Sequence, residues 1–150
     1  MASRKGEHVD ERDTTCSTFE KFKVGDPRLM EYRLVGEGEP TAYRAELRLV
    51  TATSHPLGKG SWRVVIRGVR HCAIDVDLDV ARMMGDSVAW MYCDKEHETM
   101  ASLEAVAIER LDLEPNARPF AKCCLFRIIL VPPTGNITIV GDGCEISRLE

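Results

Sequence analysis

Residues 44–50, RAELRLV, set Arg44, Glu46 and Arg48 against Ala45, Leu47 and Leu49. A period of two sends alternate side chains to opposite faces of an extended chain, so this segment predicts a strand with one wet and one dry face. The same alternation recurs along most of the chain. After the loop TATSHPLGKGS, Thr51 to Ser61, one side carries Trp62, Val64 and Ile66 and the other Arg63, Val65 and Arg67. Gly68 marks a bulge or bend. Beyond it Cys72, Ile74, Val76 and Leu78 alternate with Asp75, Asp77 and Asp79. Leu29 to Val35 forms a further strand, separated from RAELRLV by the loop GEGEPT, Gly36 to Thr41. Ser87 to Cys93 reads as a strand with two apolar faces.

Two segments break the period. Val80 to Asp86 fits about two turns of helix ended by Gly85. In His97 to Leu113, the residues Met100, Leu103, Ala107 and Leu111 fit one helical face, and the Ala and Glu content favours helix over strand. After Pro115 and Pro119 comes a hairpin in which Cys124 to Val131 is a central strand and PPTG turns the chain into Asn136 to Val140. A four-residue loop, Pro132 to Gly135, places Leu130 opposite Ile137, Ile128 opposite Ile139 and Cys123 opposite Cys144. The last pair is then within reach of a disulfide, although a reducing compartment favours free thiols. Residues 1–18 read as a flexible polar tail and 19–150 as a single globular domain. The fold class expected is mainly β, or α+β: an antiparallel sandwich or partly open barrel with one or two helices.

Composition excludes several classes of function. A 44% hydrophobic and 29% charged chain of 150 residues is neither disordered nor fibrous. A net charge of −4 and a pI near 5.6 supply no basic field for nucleic acid. The start MASRKGEHVDERDTT has no apolar signal or anchor region, which predicts a cytoplasmic protein with no membrane attachment. Its six cysteines are then reduced thiols that behave mostly as small buried apolar residues, and the sequon at Asn136 is idle. There is no C-x-x-C pair, and adjacent Cys123 and Cys124 face opposite ways on a strand. A four-ligand zinc site has to assemble from scattered residues, so no metal and no cofactor is expected.

The remaining motifs are weak carriers of chemistry. Asp75, Asp77 and Asp79 on one strand face can be a solvated strip neutralised by Arg44, Arg48, Arg63 or Arg67, a hard-cation site, or a surface for a basic protein partner. Gly85-Asp86-Ser87 and the D-x-x-H block at Asp94 to His97 superficially resemble the signature blocks of GDSL-type hydrolases. That family separates the blocks across a longer α/β chain, so Ser87, Asp94 and His97 are not assigned as a triad. HPLGKGS, His55 to Ser61, lacks the first glycine of a phosphate loop. His71 and Cys72 point to opposite faces, and Trp62, Trp90 and Tyr92 are read as core.

The strand Trp62-x-Val64-x-Ile66-x-Gly68-Val69, with the terminal strand, the PPTG turn and the ITIV strand up to Ile146, resembles small bacterial proteins of toxin-immunity families. That resemblance implies a stand-alone binder that blocks a toxin, with no catalytic residues to transfer. The function expected is a non-enzymatic protein-interaction module of this inhibitor type, leaning away from catalysis. Its partner is a protein, basic in character, bound at Asp75, Asp77 and Asp79. Homo-oligomerisation is left open. The alternative is a small-ligand-binding or hydrolytic β-barrel with its site between the sheet and the helical segment.

Overall fold

The structure is a computed structural model that describes residues 10–38, 42–77, 79, 87–131 and 134–149. Eight strands form two four-stranded antiparallel sheets. Sheet A runs β1 (Arg28–Glu37), β2 (Ala42–Thr51), β3 (Gly60–Arg67) and β8 (Gly143–Leu149). Sheet B runs β4 (His71–Val76), β7 (Gly135–Gly141), β6 (Cys124–Leu130) and β5 (Val88–Asp94). Helix α1 spans Glu11–Phe19, a single 3₁₀ turn follows at Glu20–Phe22, and α2 spans Glu98–Arg110. The β-rich sandwich expected from the alternation is therefore present, and the two sheets do not close into a barrel.

One ribbon joins the sheets. β3 pairs with β8, and a few residues further on β4 pairs with β7, so the same two strands cross from sheet A to sheet B. At the crossing the Asp142 amide donates to Arg67 O at 2.9 Å and the Arg70 amide to Val140 O at 2.7 Å. Strands that change sheets do so at bends, and Gly68 makes this one. It sits at φ +58°, where a Cβ would lie 2.3 Å from the Asp142 carboxylate. The glycine-rich GDG, residues 141–143, is the matching bend on the other strand.

Between the sheets, alternate residues interdigitate as the period of two requires. Leu47, Leu49, Val64 and Ile66 of sheet A meet Phe126, Ile128, Ile137 and Ile139 of sheet B, all essentially inaccessible to water. On the outer side of sheet B, α2 lays Met100, Leu103 and Ala107 over Leu125, Val140, Cys123 and Phe120. The helical face read from the sequence is thus correct through Ala107, while Leu111 lies beyond the helix end and is exposed.

The expectation of a tail over residues 1–18 is corrected for residues 10–18, and residues 1–9 lie outside the described residues. Residues 11–19 are helix, and α1 packs against β8, β5 and β6 along the side where the two sheets would otherwise stand open. Asp10 caps it by accepting from the Arg12 amide at 3.0 Å, and the Arg12 guanidinium beside it holds the Asp10 carboxyl down at about 2. Arg12 also donates to Lys95 O, and Lys95 pairs with Asp13 at 2.8 Å. Phe19 is 0% exposed and meets Phe126 edge to face at 5.0 Å, and Phe22 enters the same core. Glu20 accepts from the Cys93 amide at 3.3 Å, satisfying a donor of edge strand β5. Cys16 and Cys93 are bridged, with Cα atoms 5.0 Å apart, which overturns the expectation that all six thiols are free. Closing a loop across a separation of 77 residues removes unfolded-chain entropy worth roughly 4–5 kcal/mol in the loop-closure model.

The hairpin is present in a different register. Ile128 faces Ile137 and Leu125 faces Val140, two residues away from the expected pairing. The Thr134 amide donates to Val131 O at 3.0 Å, so the turn is tighter than expected and Gly135 belongs to the strand. Cys144 has by then left this sheet and pairs with Ile66 across sheet A. Cys123 and Cys144 are both free thiols. The expected helix at Val80 to Asp86 lies outside the described residues.

Two stability predictions follow from this packing. Phe19→Ala empties the junction between α1 and Phe126 and is expected to cost about 3–5 kcal/mol in urea unfolding, the usual range for a buried phenylalanine; a loss of a few tenths would return α1 to the status of a tail. His55 is 3% exposed, its Nδ1 accepts from the Leu57 amide, and burial pushes its pKa below 6.5. The unfolded state then takes up the proton first. Stability due to neutral His55 is complete above its ordinary value and is lost as pH falls below it. Urea midpoints at about pH 7.5 and about pH 5.5 should show this fall, and His55→Gln should show a smaller one.

Candidate interaction surface

The outer faces of the two sheets differ in kind. On sheet A the outward positions carry a lattice of paired charges centred on Glu46, which its arginine partners leave only 8% exposed. Glu46 accepts from Arg33 Nη2 at 2.6 Å and from Arg44 Nε at 2.7 Å, and both cations lower its pKa. Arg44 also pairs with Glu37, and Arg67 pairs with Glu145 at 2.9 Å. Of the arginines that the sequence offered to the aspartates, Arg44 and Arg67 therefore answer glutamates on their own sheet instead.

Sheet B presents two halves. Its pairing aligns the row Asp94, Leu125, Val140, His71, which α2 and residue Phe120 partly cover. The next rows, Tyr92, Arg127, Thr138, Ala73 and then Trp90, Ile129, Asn136, Asp75, lie beyond the helix. Met91 and Cys93 take the inward positions of β5, so the strand period turns Trp90 and Tyr92 outward. Trp90 is 57% exposed, which corrects its reading as a core residue. Trp62, by contrast, is half-buried, donates to Thr51 Oγ1 at 2.9 Å and is stacked by Arg148. Arg127 donates to the Tyr92 hydroxyl at 2.9 Å and lies over its ring, so the centre of the open half is an aromatic and guanidinium pair held in place. The Arg127 Nε is buried and has no acceptor among the described residues.

Of the expected partner-binding residues, Asp75 closes the Trp90 row from β4 and is exposed. Asp77 and Asp79 do not continue its strand, because β4 ends at Val76. There the Asp77 amide donates to Thr134 O, and the Asp77 carboxylate accepts from the Asp79 amide at 3.0 Å, so the acidic trio bends at its middle residue. Gly135 makes this approach possible: a Cβ there would lie 2.0 Å from Asp75 O.

Other chemistry-bearing residues are kept apart. Ser87 bridges to Arg28 and accepts from the Val131 amide through its carbonyl, and His97 caps α2 by accepting from the Thr99 amide on Nδ1. His71 takes the outer side of β4 while Cys72 packs against the core, as the strand period requires. In the loop Thr51 to Ser61, His55 is buried and not part of a phosphate-binding surface. A cleft of about 240 Å³ beside α2 is lined by Arg12, Lys95, His97, Met100, Glu104 and Arg118. Its cations already face carboxylates, Arg12 on Asp10, Lys95 on Asp13 and Arg118 on Glu104. No helix among the described residues is long and apolar enough to cross a membrane.

No protein-family model, no curated protein and no solved structure matches this chain. The surface is thus read from its own chemistry. Gly135→Ala is expected to destabilise the domain by about 2 kcal/mol or more, since backbone has to move to admit the methyl group. Denaturant unfolding tests this, with faster hydrogen exchange along β4 marking the strand that is displaced.

Proposed function

We propose that this chain is a non-enzymatic protein-interaction module that docks its partner on the open half of sheet B. The observation that carries the reading is Trp90, a large aromatic residue 57% exposed just after a register shift in β5 and flanked by Ile129 and the Tyr92 and Arg127 pair. Tryptophan, tyrosine and arginine are the residues that most often dominate binding energy when a partner covers them. Asp75 at the other end of the same row supplies a negative edge, so the partner fitting this face offers an apolar or aromatic side chain with a basic neighbour. Inhibition of a toxin by occlusion, the role implied by the resemblance to immunity families, is the specific form this module takes. A cytoplasmic setting belongs to the same reading, in which the Cys16 and Cys93 bridge is transient.

The test is capture of a partner from native lysate by wild-type, Trp90→Ala and Asp75→Asn proteins, followed by affinity measurement with the purified partner. Trp90→Ala is expected to weaken binding at least about 30-fold, the effect of a hot-spot residue worth about 2 kcal/mol, with folding stability changed by less than about 0.5 kcal/mol. Asp75→Asn should slow association and reduce its salt dependence. A partner held equally by wild type and Trp90→Ala rules out this face. Self-association abolished by Trp90→Ala makes the partner a second copy of the chain.

A further inference from the structure

Four cysteines line the side of the sandwich that α1 closes, one from each element that meets there. Cys16 comes from α1, Cys93 from β5, Cys124 from β6 and Cys144 from β8. They are far apart in sequence, yet the sulfurs of Cys16, Cys93 and Cys124 all lie within 4.8 Å of one another, while that of Cys144 lies outside this group, near enough to Cys124 to interact with it electrostatically. Cys93 and Cys124 belong to the buried core, and Cys16 and Cys144 pack against it from half-buried positions. Tetrahedral zinc with sulfur ligands at about 2.3 Å has ligand sulfurs roughly 3.8 Å apart. A triad of this spread needs only side-chain adjustment to fit that shell.

We propose that, when the Cys16 and Cys93 bridge is reduced, this cluster binds one thiophilic divalent cation of the zinc type through Cys16, Cys93 and Cys124, with Cys144 as the fourth ligand. The cycle balances with an external dithiol as reductant. The Cys16–Cys93 sulfur–sulfur bond breaks, two electrons and two protons pass to the two cysteines, and the dithiol closes to its own disulfide. The cation then displaces one proton from each of four thiols and forms four metal–sulfur bonds, leaving a site of net charge −2. Arg12, Lys95 and Asp10 lie near Cys124, and Lys21 and Glu145 near Cys144, so three cations and two carboxylates face the place where that charge develops. Cys124 donates weakly to Arg12 O at 3.8 Å, which ties its thiol to α1. The half-buried Cys16 is the point of entry. Oxidation and metal binding exclude one another, because a bridged pair has no thiolate to give.

The test uses the full chain reduced with a phosphine, titrated with cadmium as a spectroscopic probe and then zinc, beside the oxidised chain. The expected result is one cadmium per reduced chain with thiolate-to-cadmium charge-transfer absorbance, displaced by zinc, and none for the oxidised chain. Cys124→Ser and Cys16→Ser should each weaken binding more than tenfold, since loss of even an outer partner of a metal site costs about 10- to 100-fold. Cys72→Ser and Cys123→Ser should bind as wild type. A reduced, folded wild-type chain with no charge-transfer band overturns the proposal whether or not any variant folds, as does full-strength binding by a folded Cys124→Ser chain. Binding that survives Cys144→Ser unchanged removes the fourth ligand and with it the four-sulfur site.

Discussion

The structure depends on a ribbon that belongs to both sheets. β3 and β8 cross at the bends around Gly68 and Asp142 to become β4 and β7, and the two backbone hydrogen bonds at that crossing hold the sheets in a fixed relation. Sheet A then grows outward from the β3 side and sheet B from the β7 side. The strand β8 is left as one edge and β5 as another, and the gap between them needs a cover. Helix α1 supplies it, which is how a polar N-terminal segment comes to carry two core phenylalanines near its end.

That arrangement also explains how chemistry is distributed. Sheet A neutralises its own outer face through the Arg33, Glu46, Arg44 and Glu37 chain of ion pairs. Sheet B gives half of its outer face to α2 and leaves the rest as an aromatic strip ending in Asp75. The cysteines follow the same logic of position. Cys123 and Cys124 are neighbours in sequence and serve different environments, one under α2 and the other facing the seam below α1.

Most of the sheet architecture was legible in the sequence because burial on one face of a strand imposes a period of two, and residues 44–50 and 62–67 obey it plainly. The helix α2 was legible for the same reason at a period near 3.6. What escaped depended on partners distant in sequence. In α1, DERDTTCSTF has too few apolar residues to mark a buried face, and its order comes from the Asp10 cap, the Lys95 and Asp13 pair and the fit of Phe19 against Phe126. The hairpin register was missed because Gly135 was counted with the turn, whereas it extends β7 against Asp75 and Val76. The outward direction of Trp90 was missed because Ser87 to Cys93 is apolar at nearly every position, so its pattern does not say which face is covered. The cysteine cluster left no spacing motif at all, since each sulfur arrives on a different element.

The ribbon has a consequence for the order in which the chain can assemble. β1, β2 and β3 are joined by short connections and can pair as soon as they are made, but β3 must wait for β8 across about half the chain, and β4 must wait for β7. Non-local pairing of this kind is slow, and until it happens apolar strand faces stand exposed. Synthesis delivers α1 well before its platform on β8. Helix α1 is therefore among the last pieces able to dock.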